Sequence, residues 1–293
     1  MYINNLPDVK KIRVLISLFI FTFLFFTSPS YALTEDEESK SDDWTTDFFD
    51  DFDSFNTDNW QDQMLWVNDE KQCYVPDNLH NTREVSDGTI KIRVVDLGEK
   101  RACDNVDKFG KKHPDTQYVA GRIASKNLKE FSRGKWTARL KVENSGSQGM
   151  FPAWWLLGAR NNEPPVQEAD ETICWPMKGS GEIDIFEHHS DGGPDHYAAR
   201  AIKSLGNCGG GDWQSLMLVQ EVKMKDYHEY SVEWVGGDLL FRLDDKEVYR
   251  SKGQGDVISE PLFAILNFAK INDSPMTADW TMEVDWVKHE YKK

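Results

Sequence analysis

Apolar and polar residues alternate with a period of two along most of the chain. The clearest runs occupy residues 90–94, 136–142, 230–234, 262–268 and 280–286, and the last ends on Trp286. Successive side chains of a β-strand point to opposite faces, so one apolar and one polar face indicate strands of antiparallel sheets. Glycine, aspartate, asparagine and proline separate the runs, and long amphipathic helical patterns are nearly absent. The pattern predicts an all-β sandwich.

Three longer segments lack this alternation, at residues 99–116, 161–173 and 190–222. We expect them to be loops, and loops of this length in a compact domain often carry function. The second and third flank a short acidic segment, residues 182–187, so we expect them to form the walls of a cleft.

Residues 1–32 have the pattern of a secretory signal peptide. Three basic residues precede an apolar run at residues 14–26, and a small-x-small cleavage site ends at Ala32. The run is short for a membrane span, which disfavours the alternative of a membrane anchor. We therefore expect an exported protein, secreted or periplasmic. Residues 33–47 are acidic and predict a flexible tether, and residues 48–293 predict one folded domain.

Four cysteines, Cys73, Cys103, Cys174 and Cys208, follow the signal segment. An even number in an exported chain predicts two disulfides. Sequence order favours the pairs Cys73–Cys103 and Cys174–Cys208, although four cysteines allow three pairings. No two of them have the spacing of a zinc site, so metal binding by thiolates is not expected.

The formal net charge of −16 restricts the possible partners. Repulsion from phosphates disfavours nucleic acid and anionic membrane surfaces and, more weakly, sulfated polysaccharides. The chain contains 11 Trp, 9 Tyr and 16 Phe, and flat aromatic rings either stack on sugars or fill the core of a β-sandwich. A neutral glycan is the partner that this composition favours, and we expect the protein to be a monomer.

The segment from Glu182 to Glu187 carries three carboxylates within an apolar stretch. Glu182 and Asp184 are two residues apart, so in a strand they point to the same side. Glu187 is five residues from Glu182 and would face the opposite side of a regular strand. A β-bulge around Ile185 and Phe186 would return it to the acidic face. A retaining glycosidase needs such a set, with two carboxyl groups about 5–5.5 Å apart.

Several further motifs accompany this segment. They are Gly121–Lys126, Gly134–Arg139, Gly149–Gly158, Gly181–His188, Tyr230–Trp234, Leu266–Phe268 and Val284–Val287. With these motifs the chain resembles glycoside hydrolase family 16, and in particular its bacterial endo-β-1,3-glucanases, or laminarinases, over about residues 48–291. The resemblance implies a concanavalin-like β-jelly-roll sandwich of two antiparallel sheets with a concave substrate cleft.

By the same resemblance Glu182 is the nucleophile, Glu187 the general acid/base and Asp184 the residue that assists them. The implied activity is retaining endo-hydrolysis of β-1,3-glucan, or of mixed-linkage β-1,3-1,4-glucan, without a cofactor for catalysis. Agarases and carrageenases share these carboxylates and remain an alternative, as does a transglycosylase. A non-catalytic glycan-binding protein on the same fold commonly lacks the carboxylates, and all three are present here.

The resemblance also places two tryptophans, Trp155 and Trp175, in the cleft, where they would stack on sugar rings. Packing in the core is the alternative for both side chains. Phe151 stands where many relatives have a tryptophan, so one stacking contact of those relatives is in question here.

Polar candidates for sugar binding follow from the same comparison. Asn68 and Glu70 match a polar stretch that lines the donor side of the cleft in relatives. Arg122 is expected either to contact sugar hydroxyls or to form a structural salt bridge. His188 is expected either to hydrogen-bond Glu187's carboxylate or a sugar, or to be a bystander. His189 is expected to face away and take no part in chemistry.

Many relatives hold one structural calcium ion on the convex side. Asp51, the backbone carbonyl of Gly88, and Asp285 occupy the corresponding positions here, and hard cations prefer such oxygen ligands. Relatives often carry a glutamate at the position of Asp51, and a solvated acidic surface is the alternative. Calcium would act on stability, not on bond cleavage.

Overall fold

The computed structural model describes residues 44–166, 171, 180–204 and 211–293. In this part of the chain there are eighteen strands and two short 3₁₀ segments, Leu79–Asn81 and Ser190–Gly192. The strands are β1 (Trp44–Asp50), β2 (Gln61–Asp62), β3 (Cys73–Tyr74), β4 (Arg83–Ser86), β5 (Thr89–Arg101), β6 (Thr116–Ala120), β7 (Arg122–Ala124), β8 (Glu130–Phe131), β9 (Gly134–Val142), β10 (Met150–Gly158), β11 (Gly181–Glu187), β12 (His196–Ser204), β13 (Gly211–Gln220), β14 (His228–Val235), β15 (Asp238–Leu243), β16 (Lys246–Ser251), β17 (Leu262–Lys270) and β18 (Trp280–Lys292).

The strands form two sheets. A ten-stranded sheet has the order β16-β15-β14-β9-β18-β5-β6-β3, with β1 added on β18 and β4 on β5. An eight-stranded sheet has the order β13-β12-β11-β10-β17-β7-β2, with β8 added on β17. The strand pairs are antiparallel except for β3 and β6. The predicted all-β sandwich is therefore confirmed.

One apolar core joins the inner faces of the two sheets. The alternating residues of β5, β9, β14, β17 and the first half of β18 are buried in it, as their period of two predicts. Trp136 of β9 and Trp154 of β10 meet edge to face across the sheets, with ring centroids 5.9 Å apart. Full burial of one large apolar side chain contributes about 1.5–3 kcal/mol, so this shared core supplies most of the stabilisation.

β17 is buried on both faces. Its second face contributes Phe263 and Ile265 to a smaller apolar cluster with Ala124 and Leu157, and the partly exposed Trp155 packs against that cluster. The eight-stranded sheet therefore has a firmly packed patch on its outer side, beside the acidic strand β11.

The alternation in β18 fails at its centre. The pairing of β18 with β9 shifts between Val284 and Trp286, so Val287 is buried in the core and Trp286 is not. Trp286 instead lies 6.2 Å from the exposed ring of Phe49, centroid to centroid. The prediction that the buried series ends on Trp286 is wrong, because one extra residue at Asp285 inverts the alternation.

Residues 190–222, predicted to be a loop, contain two strands, β12 and β13, that extend the eight-stranded sheet. β12 contributes Tyr197, Ala199 and Ala201 to the core, and Ala198 and Ile202 are buried on the opposite face of the strand. A strand that is apolar on both sides has no period of two, so the pattern gave no signal. The loop prediction is also too long at residues 99–116, because β5 continues to Arg101.

The N-terminal edge of the domain begins earlier than predicted. β1 starts at Trp44, which pairs with Lys292, so residues 44–47 of the expected tether belong to the ten-stranded sheet. Asp47 there hydrogen-bonds His289 of β18 at 2.7 Å, a contact that alternation alone could not indicate. The predicted signal peptide and the rest of the tether lie outside the described residues.

The structure confirms the first predicted disulfide. Cys73 and Cys103 are bonded, with their Cα atoms 5.8 Å apart. Cys174 and Cys208 lie outside the described residues, so their pairing stays a prediction. None of the helical segments in the described part of the chain is long and apolar enough to span a bilayer.

Candidate active site

The acidic strand β11 contains the predicted irregularity. On β10, adjacent residues pair with Asp184 and Phe186, so Ile185 has no partner. On β12, Asp184 pairs with Arg200 and Glu187 pairs with Ala198. An advance of three residues along β11 is thus matched by only two residues of β12. The β-bulge is confirmed, and it turns Glu187 to the side on which Glu182 lies.

The three carboxylates line one cavity of about 860 Å³ on the outer side of the eight-stranded sheet. Side chains from β7, β10, β11, β12 and β17 line it together with loops at residues 64–70, 106–110 and 161–166. The segment after Gly158 thus forms a wall, as predicted. Residues 106–110, within the first predicted loop, form another wall, a role that the sequence had indicated only for the second and third loops.

Burial and crowding act on the proton affinities of the acidic group. Burial, followed by the charges of Glu187 and Glu182, raises the pKa of Asp184 well above its usual range. A hydrogen bond to Glu182 adds to this effect, since only a protonated Asp184 can donate it. Burial also raises the pKa of Glu187, while the guanidinium of Arg200 opposes the rise. The arrangement therefore favours the protonated forms of Asp184 and Glu187.

Arg200 is a member of the site that sequence reasoning missed. It lies opposite Asp184 in the β11–β12 register, with its Nε 3.2 Å from Asp184 Oδ2, and it forms an ion pair with Glu187. Its side chain is 17% exposed, so the charge sits in a mostly dry surrounding. The only feature of the sequence that could have indicated this residue is a single basic side chain within an alanine-rich stretch, in a segment predicted to be a loop. The guanidinium fixes both carboxylates and partly offsets their charge.

Trp155 lines the cavity, as predicted, and a hydrogen bond from its indole nitrogen fixes the orientation of the ring. Its Nε1 donates to Asn267 Oδ1 at 2.7 Å, and Asn267 Nδ2 donates to the hydroxyl of Tyr74 at 3.1 Å. The guanidinium carbon of Arg122 lies 5.1 Å from the centre of the Trp155 ring. A ring fixed in this way is suited to stacking on a sugar, and that role stays a prediction. The second candidate, Trp175, lies outside the described residues.

Arg122 forms the structural salt bridge that was one of its two expected roles. The side chain is buried, its Nε donates to Gln63 Oε1 at 2.9 Å, and it pairs with Glu163 at 2.7 Å. The bridge ties the wall at residues 161–166 to strand β7. Arg122 also lines the cavity, so a contact with sugar hydroxyls stays a prediction.

Asn68 and Glu70 both line the cavity, in agreement with their predicted position. Glu70 is buried, accepts a hydrogen bond from Gln72 at 2.8 Å, and is also bonded to Tyr74. Burial raises the pKa of Glu70 to about 7, and the nearby charge of Arg122 opposes the rise. With this raised pKa the carboxyl can hold a proton near neutral pH, and in that form it can donate as well as accept a hydrogen bond.

For the two histidines after the acidic strand, the structure shows the bystander alternative for His188 and contradicts the expectation that His189 faces away. His188 is fully buried, with its ring nitrogens 2.7 Å from the backbone carbonyls of His196 and Ser145. His189 lines the cavity and stacks on Phe151, with centroids 4.2 Å apart. Once the bulge turns Glu187 toward the cavity, simple alternation sends the next residue away from it and returns the one after.

The residues proposed for calcium do not fit that ion as they stand. Asp285 forms an ion pair with Arg139, and Asp51 accepts a hydrogen bond from the backbone of Asp53 at 3.4 Å. In the described ranges, no group of three or more His, Cys, Asp or Glu side chains could hold a metal ion. A cation bound by Asp51, Gly88 and Asp285 would have to displace the guanidinium, and calcium binding stays an untested prediction.

A comparison with models of protein families identifies the family of this chain. Residues 100–292 match the model of Glycosyl hydrolases family 16, which is more than half of the chain. The chain belongs to glycosyl hydrolase family 16. The matched range contains the acidic strand, the bulge and Arg200.

Two curated relatives of this family 16 chain carry names of glucan-degrading enzymes. "Glucan endo-1,3-beta-glucosidase A1" of Niallia circulans is 25% identical over 246 residues, which are 76% of this chain and 32% of that protein. "Beta-glucanase" of Rhodothermus marinus is 23% identical over 185 residues, 63% of this chain and 55% of that protein. The chain therefore spans about a third and about half of the lengths of these relatives.

Solved structures agree on the architecture. LamAcat from Zobellia galactanivorans superimposes with a TM-score of 0.71 at 27% identity, covering 84% of this chain and 98% of that one. The catalytic domain of an endo-1,3-beta-glucanase (laminarinase) from Thermotoga petrophila RKU-1 gives a TM-score of 0.66 at 20% identity, covering 86% and 99%. The second likeness shows the fold alone, which is the jelly roll expected from the motifs.

Proposed function

We propose that this protein is a retaining, endo-acting hydrolase of neutral β-1,3-glucan of the laminarin type. The observation that carries the proposal is the bulge in β11, which places Glu187 on the same cavity wall as Glu182 and Asp184. Relatives named for endo-1,3 and endo-1,3-1,4 cleavage support β-glucan as the substrate class.

In the first step the carboxylate of Glu182 attacks the anomeric carbon of the sugar. Glu187 gives its proton to the glycosidic oxygen as that bond breaks, so the leaving chain departs as a neutral alcohol. Asp184, with its raised pKa, donates a hydrogen bond to Glu182 and orients it. The product is a glycosyl ester on Glu182 and an ionised Glu187, whose new charge Arg200 stabilises.

In the second step Glu187 acts as a base. It takes a proton from water as the water oxygen attacks the anomeric carbon and the ester bond to Glu182 breaks. Two inversions at one carbon give net retention, and the site returns to its starting protonation. The ion pair with Arg200 keeps the Glu187 carboxylate in place between the two steps.

The charge of the cavity favours a neutral substrate. Seven carboxylates and three cationic side chains line it among the described residues: Asp69, Glu70, Asp107, Glu163, Glu182, Asp184, Glu187, Lys108, Arg122 and Arg200. Both arginines already pair with carboxylates. With Asp184 and Glu187 protonated, as the mechanism requires, the five remaining acidic groups still outnumber the three cations. This excess disfavours a sulfated galactan and supports a glucan over the carrageenan-type alternative.

Reducing-sugar release from laminarin, lichenan, agarose and carrageenan tests the substrate. We expect release from laminarin, with lichenan cleaved to a smaller extent. Release from agarose or carrageenan alone would contradict the glucan assignment. A transglycosylase would instead give longer oligosaccharides from laminaritetraose, which chromatography of the products separates from hydrolysis.

The two glutamates can be assigned with an activated aryl β-laminaribioside, whose leaving group needs no acid. In Glu182→Ala, added azide would occupy the vacated nucleophile position and give an α-glycosyl azide. In Glu187→Ala, azide would intercept the glycosyl ester and give a β-glycosyl azide. The opposite configuration in either variant would reverse the assignment. On laminarin, Glu187→Gln should lower kcat by about 10²–10⁴-fold.

A further inference from the structure

The cavity has an apolar rim. Four large hydrophobic side chains that line it are nevertheless exposed: Met64 at 43%, Val106 at 44%, Phe109 at 74% and Val166 at 51%. They come from three separate loops. Exposed apolar residues are ordinary when they are scattered, whereas a group around one opening marks a binding surface.

Phe109 is the most exposed of these side chains, and it lies at the tip of a short hairpin, residues 105–113, here called the Phe109 hairpin. A bridge pair closes the hairpin. Inside the turn, Asp107 Oδ1 accepts hydrogen bonds from the backbone N–H groups of Phe109 and Lys111 at 2.9 and 2.8 Å. The backbone itself therefore holds the ring out toward solvent.

The base of the Phe109 hairpin is anchored to the domain. Cys103, which is disulfide-bonded to Cys73, lies two residues before the hairpin. The side-chain amide of Asn105 donates to the backbone carbonyls of Leu65 and Tyr74 at 3.3 and 3.1 Å. A ring presented on such a fixed support loses little conformational freedom when a ligand covers it, which favours binding.

We propose that the Phe109 hairpin is an outer platform for the glycan chain where it leaves the cavity, an inference that rests on the proposed function. The rim continues the cavity that holds the carboxylates, so a chain bound across them passes over it. Sugar rings present C–H faces that pack on aromatic and aliphatic side chains. The excess of acidic groups disfavours an anionic chain, which is consistent with a neutral glycan.

A protein partner fits the rim less well. Met64, Phe109 and Val166 come from different loops around one opening, so a protein seated on all three would close the cavity. A polysaccharide covers the rim and fills the cavity at the same time. The platform would thus add affinity for long chains and leave short ones nearly unaffected.

The test compares Phe109→Ala with Phe49→Ala, which removes a ring that is 51% exposed on β1 of the other sheet. Both changes are made in a Glu182→Gln background, so that bound chains are not cleaved. Calorimetry measures Kd for polymeric laminarin and for laminaritriose. Phe109→Ala should weaken laminarin binding about five- to tenfold and laminaritriose binding less than twofold. Phe49→Ala should change neither, and Phe109→Tyr should retain the affinity.

Equal laminarin affinity in Phe109→Ala and Phe49→Ala would overturn the platform. So would an equal loss for laminaritriose, which would place Phe109 within the catalytic part of the site. If the wild type cleaves laminarin and Phe109→Ala keeps its affinity, only the platform is wrong. If the wild type neither binds nor cleaves laminarin, the proposed function itself fails. Melting temperatures of the variants should match their background, because both rings are exposed.

Discussion

Two opposing influences set the proton affinity of Glu187. Burial raises its pKa, which suits an acid that must hold a proton, and the adjacent guanidinium of Arg200 lowers it. In the proposed mechanism, the second influence suits the base that Glu187 becomes after the first step, when its carboxylate is ionised. Arg200 therefore moderates one residue that has to serve in both protonation states.

Replacement of Arg200 should move the pH profile. Arg200→Gln removes the charge that lowers the pKa of Glu187, so this pKa should rise and the alkaline limb of kcat/KM should shift to higher pH. Arg200→Lys keeps a positive charge and should shift the limb less. A profile of kcat/KM from pH 4 to 9 for the three proteins measures this. An unchanged limb in a folded Arg200→Gln variant would contradict the role.

Asp184 should lower the stability of the protein at neutral pH. Its folded pKa is raised by burial and by the neighbouring carboxylates, so the folded state binds the proton more tightly than the unfolded state. Stability from this group is complete below the unfolded pKa of about 3.9 and is lost as pH rises through the folded value. Asp184→Asn cannot ionise, so its melting temperature should exceed the wild type at pH 7 and approach it near pH 4.

A thermal melt series on Asp184→Asn and on Asp58→Asn, an exposed aspartate, checks this effect. The increase in melting temperature at pH 7 should appear only in Asp184→Asn, and this variant should also have reduced activity on laminarin. A lower melting temperature for Asp184→Asn at pH 7 would show that the charged carboxylate stabilises the site through Arg200.

At the level of elements, the wall at residues 161–166 is held by buried polar groups. The Nζ of Lys126 is fully buried and donates at 2.7 Å to the backbone carbonyls of Asn161 and Glu163 and to the carboxylate of Glu171. A loop without its own secondary structure needs such partners for its backbone carbonyls. One ammonium group therefore links strand β7 to the wall of the cavity.

Removal of Lys126 should affect both folding and binding. Lys126→Met breaks the buried ion pair with the Glu171 carboxylate, and the loss of one partner of a buried pair costs about 3–5 kcal/mol. The KM for laminarin should rise as well, because the wall loses its anchor. Lys71→Met, which breaks an exposed pair with Asp273 at 3.6 Å, should cost at most about 1 kcal/mol. Urea denaturation compares the two, and equal losses would contradict the anchoring role.

Period-two patterns predicted the elements that have one polar face and failed elsewhere. The bulge in β11 was predictable because acidic residues before and after it mark the face of the strand that lines the cavity. The shift in β18 was not, since Trp286 is as apolar as the Val287 that replaces it in the core. β12 was missed because both of its faces are buried, and Arg200 was missed with it. His189 was placed on the wrong side because the alternation was counted from His188 and not from Glu187, which faces the cavity.

At the level of the whole molecule, the Cys73–Cys103 disulfide connects two walls of the cavity. It joins β3, next to the 64–70 loop, to the segment that carries the Phe109 hairpin. Disulfides persist in oxidising compartments, which supports our proposal that the protein is exported. The excess of carboxylates in the cavity has the same sign as the net charge of the chain, −16.

Loss of this disulfide should have two separable effects. The 30-residue separation gives a stabilisation of about 3.6 kcal/mol from loop entropy, so the Cys73→Ser, Cys103→Ser variant should unfold at lower urea concentration. The Phe109 hairpin would also lose one anchor, so laminarin binding should weaken more than laminaritriose binding. Titration of both ligands at 10 °C, with circular dichroism to establish that the variant is folded there, measures the second effect, and parallel losses would contradict it.

The bulge at Ile185 also governs how the length of this segment can vary. Ile185 opposes no residue on either neighbouring strand, so its deletion would leave Glu182, Asp184 and Glu187 in regular alternation, all toward the cavity. Deletion of Ile183, only two positions earlier, would put Glu182 on the opposite side from the other two. Related strands that are one residue shorter can therefore keep the same chemistry only when the missing residue is the unpaired one.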